Sequence, residues 1–143
     1  MTPRSDPRLS LVTLGARRLP ELRAFYERLG FPVAFASEEY CSFLLGGVVL
    51  ALWPIAQLTA ESGGPTGAPT GFTLAWNVDT RDQVDPTYAR AVAAGATVVS
   101  PPEDREWGGR SAYVADPEGN RWEIAWAPGM GFDERGAVTH FGT

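Results

Sequence analysis

The sequence predicts an α+β fold built from two tandem βαβββ repeats whose sheets form a curved mixed-sheet trough. Three observations lead there. Strand-like and helix-like apolar periods follow the same order twice along 143 residues. The two copies align at constant spacing. Glycine and proline cluster between them, as expected of a linker.

Each element follows from local chemistry. Leu9 to Ala16 alternates as a strand. Pro20 suits a first helical turn, and Leu22, Phe25, Tyr26 and Leu29 then fall at i, i+3, i+4 and i+7, one apolar stripe that Gly30 terminates. Three short extended runs follow: Phe31 to Ala36, Tyr40 to Leu45 and Val48 to Trp53, the last two joined by Gly46-Gly47. After a linker over 54–70, Phe72 to Val78 opens the second copy as a strand. Val84, Tyr88 and Val92 lie four apart on one side of a helix that Gly95 ends. Asp85 is the expected N-cap with Pro86 first in the helix; a longer, kinked helix is the alternative. Thr97 to Ser100, Ser111 to Ala115 and Asn120 to Trp126 complete the repeat.

A spacing of 62 residues (73 − 11) pairs Leu11 with Thr73, Leu14 with Trp76, Leu22 with Val84, Tyr26 with Tyr88 and Arg28 with Arg90. Near the end of each copy a spacing of 72 (119 − 47) pairs Gly47 with Gly119 and Ala51 with Glu123. The chain is one domain over 1–143, with repeat one at 9–53, repeat two at 71–128 and a tail at 129–143. A helix covers one face of each sheet, and the other faces form a trough that suits a ligand.

Composition narrows the function classes. Hydrophobic residues make up 44%, which is globular rather than disordered. The net charge of −5 argues against nucleic acid, which needs a basic surface. No apolar run of membrane-spanning length and no N-terminal leader pattern occur, so a cytoplasmic protein without membrane contact is expected. A single cysteine, Cys41, excludes an internal disulfide and a multi-cysteine metal site. The five tryptophans offer rigid surface for flat or apolar ligands.

The most informative stretch is Asp116-Pro117-Glu118-Gly119-Asn120-Arg121-Trp122-Glu123-Ile124. It predicts a tight hairpin at Pro117 to Asn120. Trp122, Ile124 and Trp126 then share one face, and Glu123 points to the other. A mid-strand carboxylate between two tryptophans ends in solvent or in a cavity that wants a charge. Tyr113, on the preceding strand, is its candidate partner.

Together with Leu9-Ser10-Leu11-Val12-Thr13-Leu14, Phe25-Tyr26-Glu27-Arg28-Leu29-Gly30-Phe31, Gly95-Ala96-Thr97-Val98-Val99 and Tyr113-Val114-Ala115, this stretch resembles the vicinal oxygen chelate superfamily. That group includes glyoxalases, bleomycin-resistance proteins, fosfomycin-resistance proteins and extradiol dioxygenases. The resemblance covers roughly residues 9 to 128. It implies four cavity positions, Leu11, Ala51, Thr73 and Glu123, that hold an ion in metal-using members. Leu11 and Ala51 have no donor atom, Thr73 has a weak one, and the single histidine, His140, sits in the tail. The resemblance is therefore to the metal-free branch, whose known type is an acidic dimer that sequesters a drug.

The expected function is binding of a small, partly apolar molecule in an aromatic cleft, by a homodimer with no cofactor. Leu11, Thr13, Trp53, Thr73, Asn77, Trp107 and Arg110 are the expected ligand contacts. Arg110 is read as an anchor for an anionic group or as a partner of Glu123, and Trp107, before Gly108-Gly109, as part of a lid. Glu123 and Tyr113 are the candidate catalytic residues. The alternative function is a lyase, isomerase or dioxygenase that uses Glu123 as base or residual metal ligand.

Overall fold

A computed structural model describes residues 7–63 and 72–141 of the chain. Repeat one runs β1 (Leu11–Ala16), α1 (Leu19–Arg28), β2 (Val33–Ser37), β3 (Tyr40–Leu45) and β4 (Val48–Pro54). Next comes α2 (Ile55–Ser62). Repeat two runs β5 (Leu74–Asn77), a 3₁₀ turn (Arg81–Gln83), α3 (Val84–Ala93), β6 (Thr97–Asp104), β7 (Arg110–Ala115) and β8 (Arg121–Trp126). The tail adds a two-stranded hairpin, β9 (Gly131–Phe132) and β10 (Val138–His140). No helix among the described residues is long and apolar enough to cross a membrane.

The duplication holds at the level of register. The sheets have the orders β1-β4-β3-β2 and β5-β8-β7-β6, each with one parallel and two antiparallel pairings. Thr13 lies opposite Ala51 in the first, and Ala75 opposite Glu123 in the second. Those are equivalent pairs at the spacings of 62 and 72. Ser42 opposite Ala51 corresponds to Tyr113 opposite Glu123, with the middle strands offset by 71 (113 − 42). β1 and β5 are both sheet edges, each hydrogen-bonded to one neighbour.

One core serves both repeats. Leu14, Leu50, Leu52 and Phe43 from the first sheet join Val114, Trp122 and Ile124 from the second, with Leu22, Phe25 and Tyr26 of α1 between them. Alternation along each strand turns the remaining residues to a second face, one end of which α2 covers in the first sheet, with Ile55 against Gly15. Complete burial of a Leu- or Phe-sized side chain contributes about 1.5–3 kcal/mol, so this shared core is what fastens the repeats together. A polar knot within it is centred on Tyr26. The hydroxyl donates to Asp116 Oδ2 at 2.6 Å and accepts from Trp122 Nε1 at 2.9 Å. Asn120 Nδ2 donates to the same Asp116 oxygen at 2.8 Å, and the backbone N–H groups of Glu118 and Asn120 donate to Oδ1. The hairpin motif thus folds back onto α1. Glu118 extends the link by accepting the backbone N–H groups of Arg17 and Arg18, just before α1.

Three local expectations are corrected. The linker's first half is helical: Ile55, Leu58 and Thr59 are half-buried where α2 packs on β1 and β4. Residues 64–71, the rest of that linker, lie outside the described residues. Asp85 is not an N-cap, nor is Pro86 the first helical residue. Thr80 and Gln83 form a capping box around the 3₁₀ turn, which runs straight into α3. Pro86 sits in the first turn of α3, where the proline's missing N–H leaves little unsatisfied. β6 also extends past Ser100 to Asp104, absorbing Pro101 and Pro102 as register irregularities on an edge strand.

Candidate functional site

The free face of the second sheet carries the chemistry. Glu123 in β8 lies between Ala75 of β5 and Tyr113 of β7, and is half-buried. Tyr113 and Glu123 are register partners, and the Tyr113 pKa is raised, first by burial and then by the neighbouring carboxylate charge. Two strands place this pair: register sets them opposite each other, and the pleat turns both away from the core.

Arg105 completes the cluster, and the sequence reading missed it. Its guanidinium lies 5.9 Å from the centre of the Tyr113 ring. Nε donates to Ser111 Oγ at 2.7 Å, Nη2 reaches the Ser111 carbonyl at 3.3 Å, and Glu103 forms an ion pair with Nη1. A tight loop aims it: the Arg105 N–H bonds to the Gly109 carbonyl, and the Gly108 N–H to the Arg105 carbonyl. No local pattern marks Arg105, since its role depends on how the β6–β7 loop folds over the sheet. The cluster offers a carboxylate, a phenol and a neutralised cation side by side, suited to orient a polar group or to move one proton.

The other expected residues are dispersed. Arg110 lies opposite Trp126, on the face away from Glu123, because alternate strand residues point to opposite sides. It makes two bonds to Asp85, at 2.7 and 3.0 Å, and one to Asp104 at 3.1 Å. The bonds to Asp85 hold its pKa below the ordinary range, that of Asp104 is held down first by Arg81 and then by Arg110, and the pKa of Arg110 is raised. The expected partnership with Glu123 is therefore overturned. Trp107 is exposed, with its ring against Gly109 in the β6–β7 loop. Leu11, Thr13 and Trp53 lie on the free face of the first sheet, opposite Val49, Ala51 and Gly15. Leu11 is 44% exposed and Ala51 fully buried.

Thr73 and Asn77 line a cavity of about 1020 Å³ along β5. Glu123, Tyr113, Trp53, Trp107 and Arg110 do not line it. It lies between the repeats, against the C-terminal end of α1, the β3–β4 turn, α3 and the tail hairpin.

The donor set does not fit a metal. Leu11 and Ala51 carry no ligand atom, and among the described residues no three His, Cys, Asp or Glu side chains group to hold an ion.

Comparison with known proteins agrees with the fold. A crystal structure of a glyoxalase-related enzyme from Fulvimarina pelagi is 34% identical, covers 94% of this chain and 99% of its own, and superposes with a TM-score of 0.87. A glyoxalase/bleomycin resistance protein/dioxygenase family enzyme from Burkholderia phytofirmans PsJN is 26% identical over 85% of this chain and 99% of its own, at a TM-score of 0.71. Lactoylglutathione lyase from Agrobacterium tumefaciens, 22% identical over 85% of this chain and 95% of its own, shares the fold at a TM-score of 0.69. Among curated sequences, an uncharacterized Mycobacterium tuberculosis protein is 42% identical over 65 residues, which is 43% of this chain and 38% of that protein. The Glyoxalase/Bleomycin resistance protein/Dioxygenase superfamily model matches residues 8–124, the stretch that holds both sheets and the Tyr113–Glu123 pair. With the duplicated register, that match makes the chain a member of the glyoxalase/bleomycin resistance protein/dioxygenase superfamily.

Proposed function

We propose that this chain binds a small, partly apolar molecule on the free sheet faces, without a metal, as a homodimer. The observation that carries the reading is the Tyr113–Glu123 pair. A half-buried phenol–carboxylate pair on an otherwise small-residue face orients a ligand's polar group. Apolar contact comes from the first sheet in this reading. Leu11, Val49 and Leu44 form a row across its free face, and Leu11 and Leu44 are both exposed. An apolar row of this kind is the surface that a ligand or a second copy covers.

Three measurements test it. Intrinsic tryptophan fluorescence against a panel of apolar compounds is expected to find a binder, and Tyr113→Phe is expected to weaken it by about threefold to tenfold. A panel without a single binder defeats the reading. Elemental analysis of protein purified without added metal is expected to find no stoichiometric zinc, iron or manganese. Sedimentation is expected to give twice the chain mass, with Leu44→Asp shifting it toward the monomer.

A second reading has its own support: the same pair is built to hand over a proton, and the Fulvimarina pelagi relative is described as an enzyme. In that reading Glu123 is the base of a lyase, isomerase or dioxygenase. Glu123→Gln then abolishes turnover while leaving binding largely intact; equal loss of both excludes the base role.

A further inference from the structure

The inter-repeat cavity contains features that the Tyr113–Glu123 site does not use. At about 1020 Å³ it is large enough for a small organic molecule. Its floor is aromatic: Phe31 packs edge-on against both Trp76 and Trp122, at centroid distances of 5.6 and 5.8 Å. The charged groups in its lining are Asp79, Arg90 and Arg135, an excess of positive charge in a chain of net charge −5.

Arg90 is the oriented cation among them. Nη2 donates to the Leu29 carbonyl at 3.0 Å, and the guanidinium carbon lies 5.6 Å from the centre of the Trp76 ring. Those two contacts hold the group beside the cavity, on a residue that is otherwise exposed. A guanidinium has five N–H donors, and among the described residues no carboxylate forms an ion pair with Arg90. Thr87, one turn earlier on α3, also lines the cavity.

The duplication supplies a built-in comparison. Arg28, the equivalent of Arg90, reaches across in the opposite direction and donates from Nε to the Ala94 carbonyl at 2.9 Å. Each arginine thus caps the C-terminal end of the other repeat's helix. Glycines at the crossing points, Gly30 and Gly95, both at positive φ, let the guanidinium groups come close: an added Cβ would lie 3.3 Å from an Nη2 in each case. Arg28 does not line the cavity. Capping is therefore shared by both arginines, and facing an aromatic cavity belongs to Arg90.

We propose that the inter-repeat cavity is a second binding site, for a small flat apolar anion. Its carboxylate would bond the free donors of Arg90, and its ring system would lie against Trp76 and Phe31. Charge-assisted, bidentate pairing with a held guanidinium is the interaction that selects such a ligand.

Isothermal titration of the full chain with 1-naphthoate and with neutral 1-naphthamide tests this. Naphthoate is expected to bind about tenfold more tightly than the amide. Arg90→Gln is expected to erase that preference. Arg28→Gln removes the equivalent helix cap and is expected to keep it, as is Glu123→Gln at the other site. The proposal is overturned by no naphthoate binding, by equal affinity for both probes, or by a preference that survives Arg90→Gln. Equal loss in Arg28→Gln also overturns it, because the arginines then act only through the helix ends. Should Arg90→Gln fail to fold, Arg90→Lys is measured with circular dichroism as the folding check. A preference cut several-fold supports the site, and an unchanged one refutes it.

Discussion

Tyr26 and Glu123 show how one polar group takes its meaning from its surroundings. The Tyr26 hydroxyl is buried, and burial followed by the Asp116 charge raises its pKa well above the ordinary tyrosine value. It satisfies Asp116 and Trp122 at once, so Tyr26→Phe leaves one partner short of a donor and the other short of an acceptor. Chemical denaturation is expected to show a loss of about 1–3 kcal/mol. Tyr113 is raised for the same first reason, with Glu123 as its neighbour. Glu123→Gln removes the charge but not the shape, and the Tyr113 pKa is expected to fall toward the ordinary value, read by tyrosinate absorbance. A raised phenol pKa stabilises the fold fully below the unfolded value of about 10, and that contribution is lost as pH rises through the folded value. The mutant's alkaline unfolding is expected to shift accordingly.

Among the elements, α2 is the one that local signals concealed. Its stretch carries no side-chain N-cap, no first-turn acid and no fully buried residue, and eight residues are too few for a helix to hold alone. Packing on β1 and β4 makes it a helix. The close point is Gly15, where an added Cβ would sit 2.9 Å from Ile55 Cγ1. Gly15→Leu is expected to push α2 off the sheet, at a cost of about 1–3 kcal/mol. Hydrogen exchange is expected to quicken over 55–62 while α1 and α3 stay protected; unchanged exchange there would show that α2 does not depend on this contact. α3 illustrates the opposite case. Its proline suggested a start at Asp85, but the Thr80–Gln83 capping box begins the helical path earlier.

Across the whole molecule, ion pairs tie repeat two together while the shared core ties it to repeat one. Arg110 joins Asp85 of α3 to Asp104 of β6, and Arg81 joins the same Asp104. Both aspartates have folded pKa values below their unfolded value near 3.8. Their contribution is therefore present above that value and lost as pH falls through the folded one. Because these carboxylates are exposed, the effect is screened and salt-sensitive. Thermal melts between about pH 5 and pH 2.5 are expected to fall less steeply with acid in Arg110→Ala than in the parent. Parallel slopes would exclude this network as an acid-sensitive tie.

Most of the architecture was legible because it depends on period and repetition. The alternation of Trp122, Glu123 and Ile124 determined which side each takes, and the spacings of 62 and 72 recur in the observed register, where Thr13 against Ala51 is repeated as Ala75 against Glu123. Tyr113 as the neighbour of Glu123 was legible for the same reason: a hairpin with a tight turn has few registers. Arg105, Arg110 and Arg90 were not legible in their roles. Long flexible side chains take their partners from whatever the fold brings within reach, and no local pattern records that. The sequence by itself determined two βαβββ units and the side of the sheet on which the lone carboxylate stands, because strand and helix periods are local properties. Tertiary structure alone decided which arginine meets which acid, that the linker begins as a helix, and where the large cavity lies, because those outcomes depend on contacts between segments far apart in the chain.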